Sequence, residues 1–230
     1  MSDPTLAARR DAVTALGSAV RATLVAIAAN EAPIERLERA TTLAEQLTTQ
    51  LAGFERPLTE LPSVDDLTRG IRFLSPTIGP GNPMSPPITI ARTADGVETR
   101  VTLDRRFEGP PGFVHGGVTG LLLDEVLGQA ASHAARWGMT AFLNISYRHA
   151  LPIDVELVVS ARVTGTGRRK TFVSGTIALV ADPRTPFVTA EALFIAPRDE
   201  VHGRYFDEVA DSTGRPADVH FGAPDLSTRH

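Results

Sequence analysis

The sequence predicts an α+β domain in which one long helix packs on a single antiparallel sheet, preceded by a helical hairpin. Three observations predict this class. Strand-like runs dominate the second half of the chain, one apolar helical stretch interrupts them, and two helical stripes precede them all. The order is hairpin, long helix, then antiparallel strands, without the strand–helix alternation of a parallel sheet.

Residues 1–56 read as the helical hairpin. Val13, Leu16, Val20, Leu24 and Ile27 recur at spacings of three and four, forming one apolar stripe. Asn30 and Pro33 punctuate the chain with helix-stop and helix-start chemistry. Ile34, Leu37, Ala44, Leu47, Leu51 and Phe54 form a second stripe, and Gly53 helps to end it. Such an appendage serves as a lid, an oligomerisation element or a docking site. Residues 57–87 form a connecting loop, because Pro62, Pro76, Pro80, Pro83, Pro86 and Pro87 block regular structure.

Residues 88–198 carry the main domain. Runs 88–92 and 97–103 flank Asp95-Gly96, a pair suited to a two-residue hairpin turn. A helix is expected over 117–136, with Gly138 permitting its stop. Runs 140–149, 155–164, 171–180 and 187–195 follow as a meander. The tail, 199–230, mixes charges with Gly and Pro and is expected to be loosely held.

Composition narrows the chemistry. A net charge of -4 gives no general reason to expect nucleic acid or an anionic membrane as partner. The absence of cysteine removes disulfides, thiol nucleophiles and cysteine-ligated metals, and fits a cytoplasmic location. Arg9, Arg10 and Asp11 interrupt any secretory signal, and no stretch reads as approaching the roughly 20 apolar residues of a membrane span. Neither a Gly-x-Ser-x-Gly elbow nor a His-Glu-x-x-His zinc motif occurs.

The informative stretch runs from Gly109 through His115, Gly116 and Gly117 to Asp124. Glycines ahead of a helix leave backbone N–H donors bare at the positive end of its dipole. Such donors can hold an anion or an oxyanion that develops on a carbonyl. Asp124 is set among Leu121, Leu122, Leu123, Val126 and Leu127, where an unpartnered carboxylate is expensive and therefore a functional candidate. Its neighbour Glu125, about 100° around the helix, is the alternative carboxylate. Gly117, Gly120 and Gly128 share the Asp124 face, leaving room for a thin substrate arm or for close packing of helices. Gly117 and Asp124 lie seven residues apart, about 10 Å along a helix, too far to serve one carbonyl together. Two antiparallel copies about a twofold axis would bring Gly117 of one opposite Asp124 of the other.

His115-Gly116-Gly117 with Asp124 nine positions after the His resembles the hotdog-fold acyl-CoA thioesterases. The phenylacetyl-CoA and human long-chain acyl-CoA branches are the most similar, and the likeness covers roughly residues 71–197. It implies an antiparallel sheet wrapped around a central helix, and homodimers joined edge to edge, with further pairing of dimers left open. It implies Asp124 as nucleophile or general base, and the Gly117 amide as the seat of the thioester carbonyl. Thr140, sixteen residues after Asp124, would orient the attacking water or the carboxylate, and His115 would hold the loop. Gly109 stands where the phenylacetyl-CoA branch carries an Asn, so the run 108–112 looks closer to the long-chain branch.

Substrate contacts are expected along Gly116, Gly120 and Gly128. Arg168, Arg169 and Lys170, at a turn between strands, suit the phosphates of CoA or form a solvated turn. The implied reaction is hydrolysis of an acyl-CoA to a free acid and CoA. No metal or redox cofactor is implied. A dehydratase or hydratase pairing His115 with Asp124, and a non-catalytic acyl-CoA-binding protein, are the alternatives.

Overall fold

The structure, a computed structural model, describes residues 4–67, 70–86, 88–211 and 215. Helices α1 (Pro4–Ala28) and α2 (Ile34–Leu51) come first. Strands β1 (Ala91–Arg92) and β2 (Val97–Thr102) precede the long helix α3 (Gly116–His133). Then follow β3 (Met139–Tyr147), β4 (Glu156–Thr166), β5 (Lys170–Leu179), β6 (Asp182–Ile195) and α4 (Asp199–Phe206). The expected hotdog arrangement is present: a six-stranded antiparallel sheet, ordered β1-β2-β4-β5-β6-β3, holds α3 on its face.

One expectation needs correcting. Only β4, β5 and β6 form a meander, whereas β3 lies at the far edge beside β6. The reason is the helix itself: α3 carries the chain across the sheet between β2 and β3, so β3 starts on the opposite side. The core is the seam between them. Leu122, Leu123, Val126 and Leu127 of α3 are almost wholly buried, as are Val159, Val173, Ile177 and Val188 of the sheet. Each such side chain contributes roughly 1.5–3 kcal/mol by leaving water. Inward residues Leu157, Val159 and Ala161 alternate with less buried ones along β4, the period-two pattern that a one-sided sheet requires.

Two glycines do different work from that expected. The ladder joins Arg92 to Val97, so four residues separate the strands, and Asp95-Gly96 is not a two-residue turn. Gly96 is needed instead because a Cβ there would lie 2.1 Å from the carbonyl oxygen of Ala161. Likewise, α3 ends before Gly138: Ala135 takes the left-handed conformation, and Arg136 N–H returns to Ala131 O at 2.9 Å. A Cβ on Gly138 would meet the backbone of Ile195 at 2.7 Å.

At the N-terminus both expected helices form, but they do not share a buried seam, because every residue of α2 is exposed. By length and composition alone α1 is apolar enough to cross a membrane, which corrects the reading that no stretch approaches one. In the fold α1 is docked on the protein. Arg10 Nε donates to Val64 O at 2.8 Å, and Arg21 donates to the carbonyls of Ser85, Pro80 and Asn82. Gly17 sits where a Cβ would strike the Gly81 carbonyl oxygen at 2.5 Å. In the C-terminal tail α4 forms over its first residues, while 212–214 and 216–230 lie outside the described residues.

Candidate active site

The loop before α3 is built to present its N-terminus. Arg106 holds Asp104 at 2.8 Å and reaches Pro83 O at 2.6 Å, fixing the short 3-10 turn Arg105–Phe107. Burial pushes the Asp104 carboxyl upward, but the hydrogen bonds and charge of Arg106 outweigh this and hold it below the usual carboxylate range. His115 N–H then donates to Phe107 O, and Val114 N–H to Leu151 O, both at 2.8 Å. The His115 ring caps the helix: its Nδ1 accepts from Gly117 N–H at 3.0 Å. Tyr147 Oη, at the end of β3, donates to Gly116 O at 2.8 Å and clamps the loop from the other side.

Asp124 is half-buried, two turns along α3, and accepts a hydrogen bond from Thr140 Oγ1 at 2.8 Å. The sheet arranges this meeting through a bulge. Leu143 and Ile145 pair with the buried Ala192 and Ala190, so odd-numbered residues of β3 face the helix. By simple alternation Thr140 would face away. The register slips between Thr140 and Phe142, and Thr140 pairs instead with Phe194, which is buried against the sheet's helix side. One extra residue therefore turns the Thr140 hydroxyl onto Asp124, a re-aiming that bulges commonly provide.

The glycine face of α3 is more filled than the spacing suggested. A Cβ on Gly120 would meet Ile145 Cδ1 at 3.3 Å, so Gly120 serves close helix–strand packing and not an open groove. Gly128 does border open space, in a cleft that also takes in Asp124, Thr140, Trp137 and Phe194.

These features have relatives. The family model of the thioesterase superfamily matches residues 111–179, which span the cap, α3, the bulge and most of the meander. A crystal structure of a thioesterase superfamily protein superposes with a TM-score of 0.70 at 29% identity, covering 80% of this chain and 90% of that one. Residues 111–179 are thus similar to the thioesterase superfamily.

Among curated relatives, the mouse acyl-coenzyme A thioesterase THEM4 is 40% identical over 88 residues, 38% of this chain and 37% of that protein. The human acyl-coenzyme A thioesterase THEM5 is 31% identical over 88 residues, 38% of this chain and 35% of that protein. The chain thus spans little more than a third of the length of these relatives.

Within this domain, Asp124 and Thr140 meet, while His115, Gly116 and Gly117 form a separate cluster at the helix start. His115 and Asp124 are therefore not paired within one chain. Glu125 is occupied. It accepts from the Thr77 hydroxyl and from Gln129 Nε2 at 2.8 Å, with Arg72 Nη1 at 3.9 Å. Arg168, Arg169 and Lys170 lie at the β4–β5 turn, where Lys170 pairs with Ile195, the residue that also pairs with Met139. They thus share the Thr140 end of the sheet. Arg168 and Lys170 are exposed, and Arg169 donates to Ala196 O at 3.1 Å.

Sequence reasoning missed Tyr147 and Arg72. No local pattern marks either one, since each reaches the site only through the sheet or the connecting loop. Gln129 was legible in principle, four residues after Glu125 on the same helical face.

Proposed function

We propose that the protein hydrolyses acyl-CoA thioesters to a free carboxylic acid and CoA, at a site shared by two copies of the chain. The observation that carries this reading is the Asp124–Thr140 hydrogen bond on a helix whose N-terminus offers Gly117 N–H. The thioester carbonyl takes up the Gly117 N–H, displacing its bond to His115 Nδ1, and the helix dipole supports the developing oxyanion. Asp124 accepts a proton from a water as its oxygen attacks the carbonyl carbon. The carbon–sulfur bond then breaks, and the proton passes from Asp124 to the leaving thiolate. Attack by Asp124 itself, through an anhydride that water then opens, uses the same placement. The reaction calls on no metal or redox cofactor. The reading includes a cytoplasmic location in acyl-CoA and lipid metabolism. Arg168 and Lys170 are the candidates for the CoA phosphates.

The homodimer is part of the proposal. Strand β3 is an edge strand with Met139, Phe142 and Tyr147 all about half exposed. An exposed apolar edge favours pairing with a second copy. About 10 Å separates Gly117 from Asp124 along one helix, and an antiparallel copy removes that gap.

Thiol release from short, medium, long and aromatic acyl-CoAs tests the activity, and absence of release from all of them would overturn it. Complementation tests the shared site. Asp124→Asn and Gly117→Pro, each inactive alone, are expected to recover roughly a quarter of wild-type activity when co-expressed, since half the dimers are mixed and each mixed dimer holds one intact site. Proline at this position removes the N–H yet is tolerated in a first helical turn. No recovery would place both groups in one chain. Thr140→Val is expected to lower kcat about tenfold, the worth of one hydrogen bond to a charged group. KM and the melting temperature should hardly move, and an unchanged kcat would leave Thr140 a purely structural residue.

A further inference from the structure

The cleft beside Asp124 contains a polar group that hydrolysis does not use. Its α3 wall continues past Gly128 to Gln129 and Ser132, its far wall is Trp137 and Phe194, and Arg72 stands on its rim. The connecting loop brings Arg72 there, because Thr77, itself buried, is tied to Glu125 and to Ser75 Oγ at 3.0 Å.

This network fixes the Gln129 carboxamide. Its Nε2 donates to Glu125 Oε1 at 2.8 Å, and the flipped amide would set an oxygen against a carboxylate. The orientation leaves Gln129 Oε1 buried with no hydrogen-bond donor among the described residues. A buried acceptor left in that state costs about 1–3 kcal/mol, and such groups are rare in folded proteins without a reason. Glu125 is already engaged by Thr77, Gln129 and Arg72, so the unmet demand in this wall is for a donor, not for a cation.

Position then decides what the donor is. Gln129 lies five residues beyond Asp124, about 7.5 Å along the helix axis. A short acyl group whose carbonyl reacts at Asp124 extends that far. From these observations, and resting on the thioesterase reading above, we infer that Gln129 is a specificity-determining residue that selects short acyl-CoAs bearing a hydroxyl at the far end of the acyl group. The hydroxyl donates to Gln129 Oε1, and a small turn about the soft terminal torsion of the side chain brings that oxygen to the cleft surface. An unsubstituted chain would leave the oxygen without a partner, and sites with an unmet polar group discriminate strongly against analogues that lack the matching one.

The test compares kcat/KM for hexanoyl-CoA with that for its ω-hydroxy counterpart, and likewise for butyryl-CoA and its counterpart. Wild type is expected to favour a hydroxylated ester at least about tenfold. Gln129→Leu should bring that ratio to one or below. If Gln129 only braces Glu125, the variant would slow both members of a pair equally and leave the ratio alone, which would overturn the inference. A wild-type ratio near one would overturn it without any variant, and would mean that water meets the free oxygen. Thiol release with no hydroxyl preference thus removes only the role of Gln129, whereas no release from any ester removes the hydrolase reading beneath it.

Discussion

Replacing Asp124 with Asn is expected to lower thioester hydrolysis at least about a hundredfold, the scale of a lost general base. The substitution keeps shape and volume, and its amide oxygen can still accept from Thr140 Oγ1, now at 2.8 Å from the carboxylate. What disappears is the group that takes the proton from water or attacks the carbonyl. Asp124 is only half-buried, so no large cost of burying a charge is relieved or created. The melting temperature should therefore stay within a few degrees while kcat falls and KM holds. That split marks an interaction made only in the transition state. Full activity in the variant would remove Asp124 from the reaction. A parallel fall in activity and melting temperature would make it a structural residue that bridges α3 to β3.

Gly96→Val is expected to destabilise the fold by at least about 3 kcal/mol, the upper range for forcing extra atoms into a filled site. A Cβ at this position would sit 2.1 Å from the Ala161 carbonyl oxygen, and the next nearest atoms are also backbone of β4. Backbone in the middle of a ladder cannot step aside, because β4 is paired to β2 on one side and β5 on the other. Urea midpoints for Gly96→Val and Asp95→Ala separate the two accounts of this dipeptide. If close strand approach sets the requirement, Asp95→Ala changes stability by under about 0.5 kcal/mol, as an ordinary surface substitution does. Equal losses in the two variants would restore the turn reading and overturn the packing one.

The glycine of a hairpin-like dipeptide shows where sequence reasoning stops. Asp95-Gly96 announces that the chain reverses, and it does, but the need for glycine comes from a carbonyl on a strand some sixty-five residues away. Gly138 repeats the lesson. It follows a helix and so reads as a stop, although Ala135 supplies the left-handed residue and Gly138 makes way for Ile195. Local patterns report what a residue permits. They do not report which distant backbone comes to lie against it.

By itself the sequence determined the elements and the candidate chemistry. The apolar run of α3 and the alternation of β4 to β6 follow from periods of 3.6 and two, which any buried helix or one-sided sheet must obey. The His115-Gly116-Gly117 start and the carboxylate of Asp124 were legible because bare helix donors and charges set in an apolar helix are local and costly. Tertiary structure alone decided which groups meet. The far-edge place of β3 and the bulge after Thr140 bring its hydroxyl to Asp124, and both depend on pairing with β6. The docking of Thr77 on Glu125 and the free oxygen of Gln129 depend on how a proline-rich loop settles on a finished helix. Periodicity is encoded residue by residue, whereas register and docking emerge only when separate segments compete for the same surface.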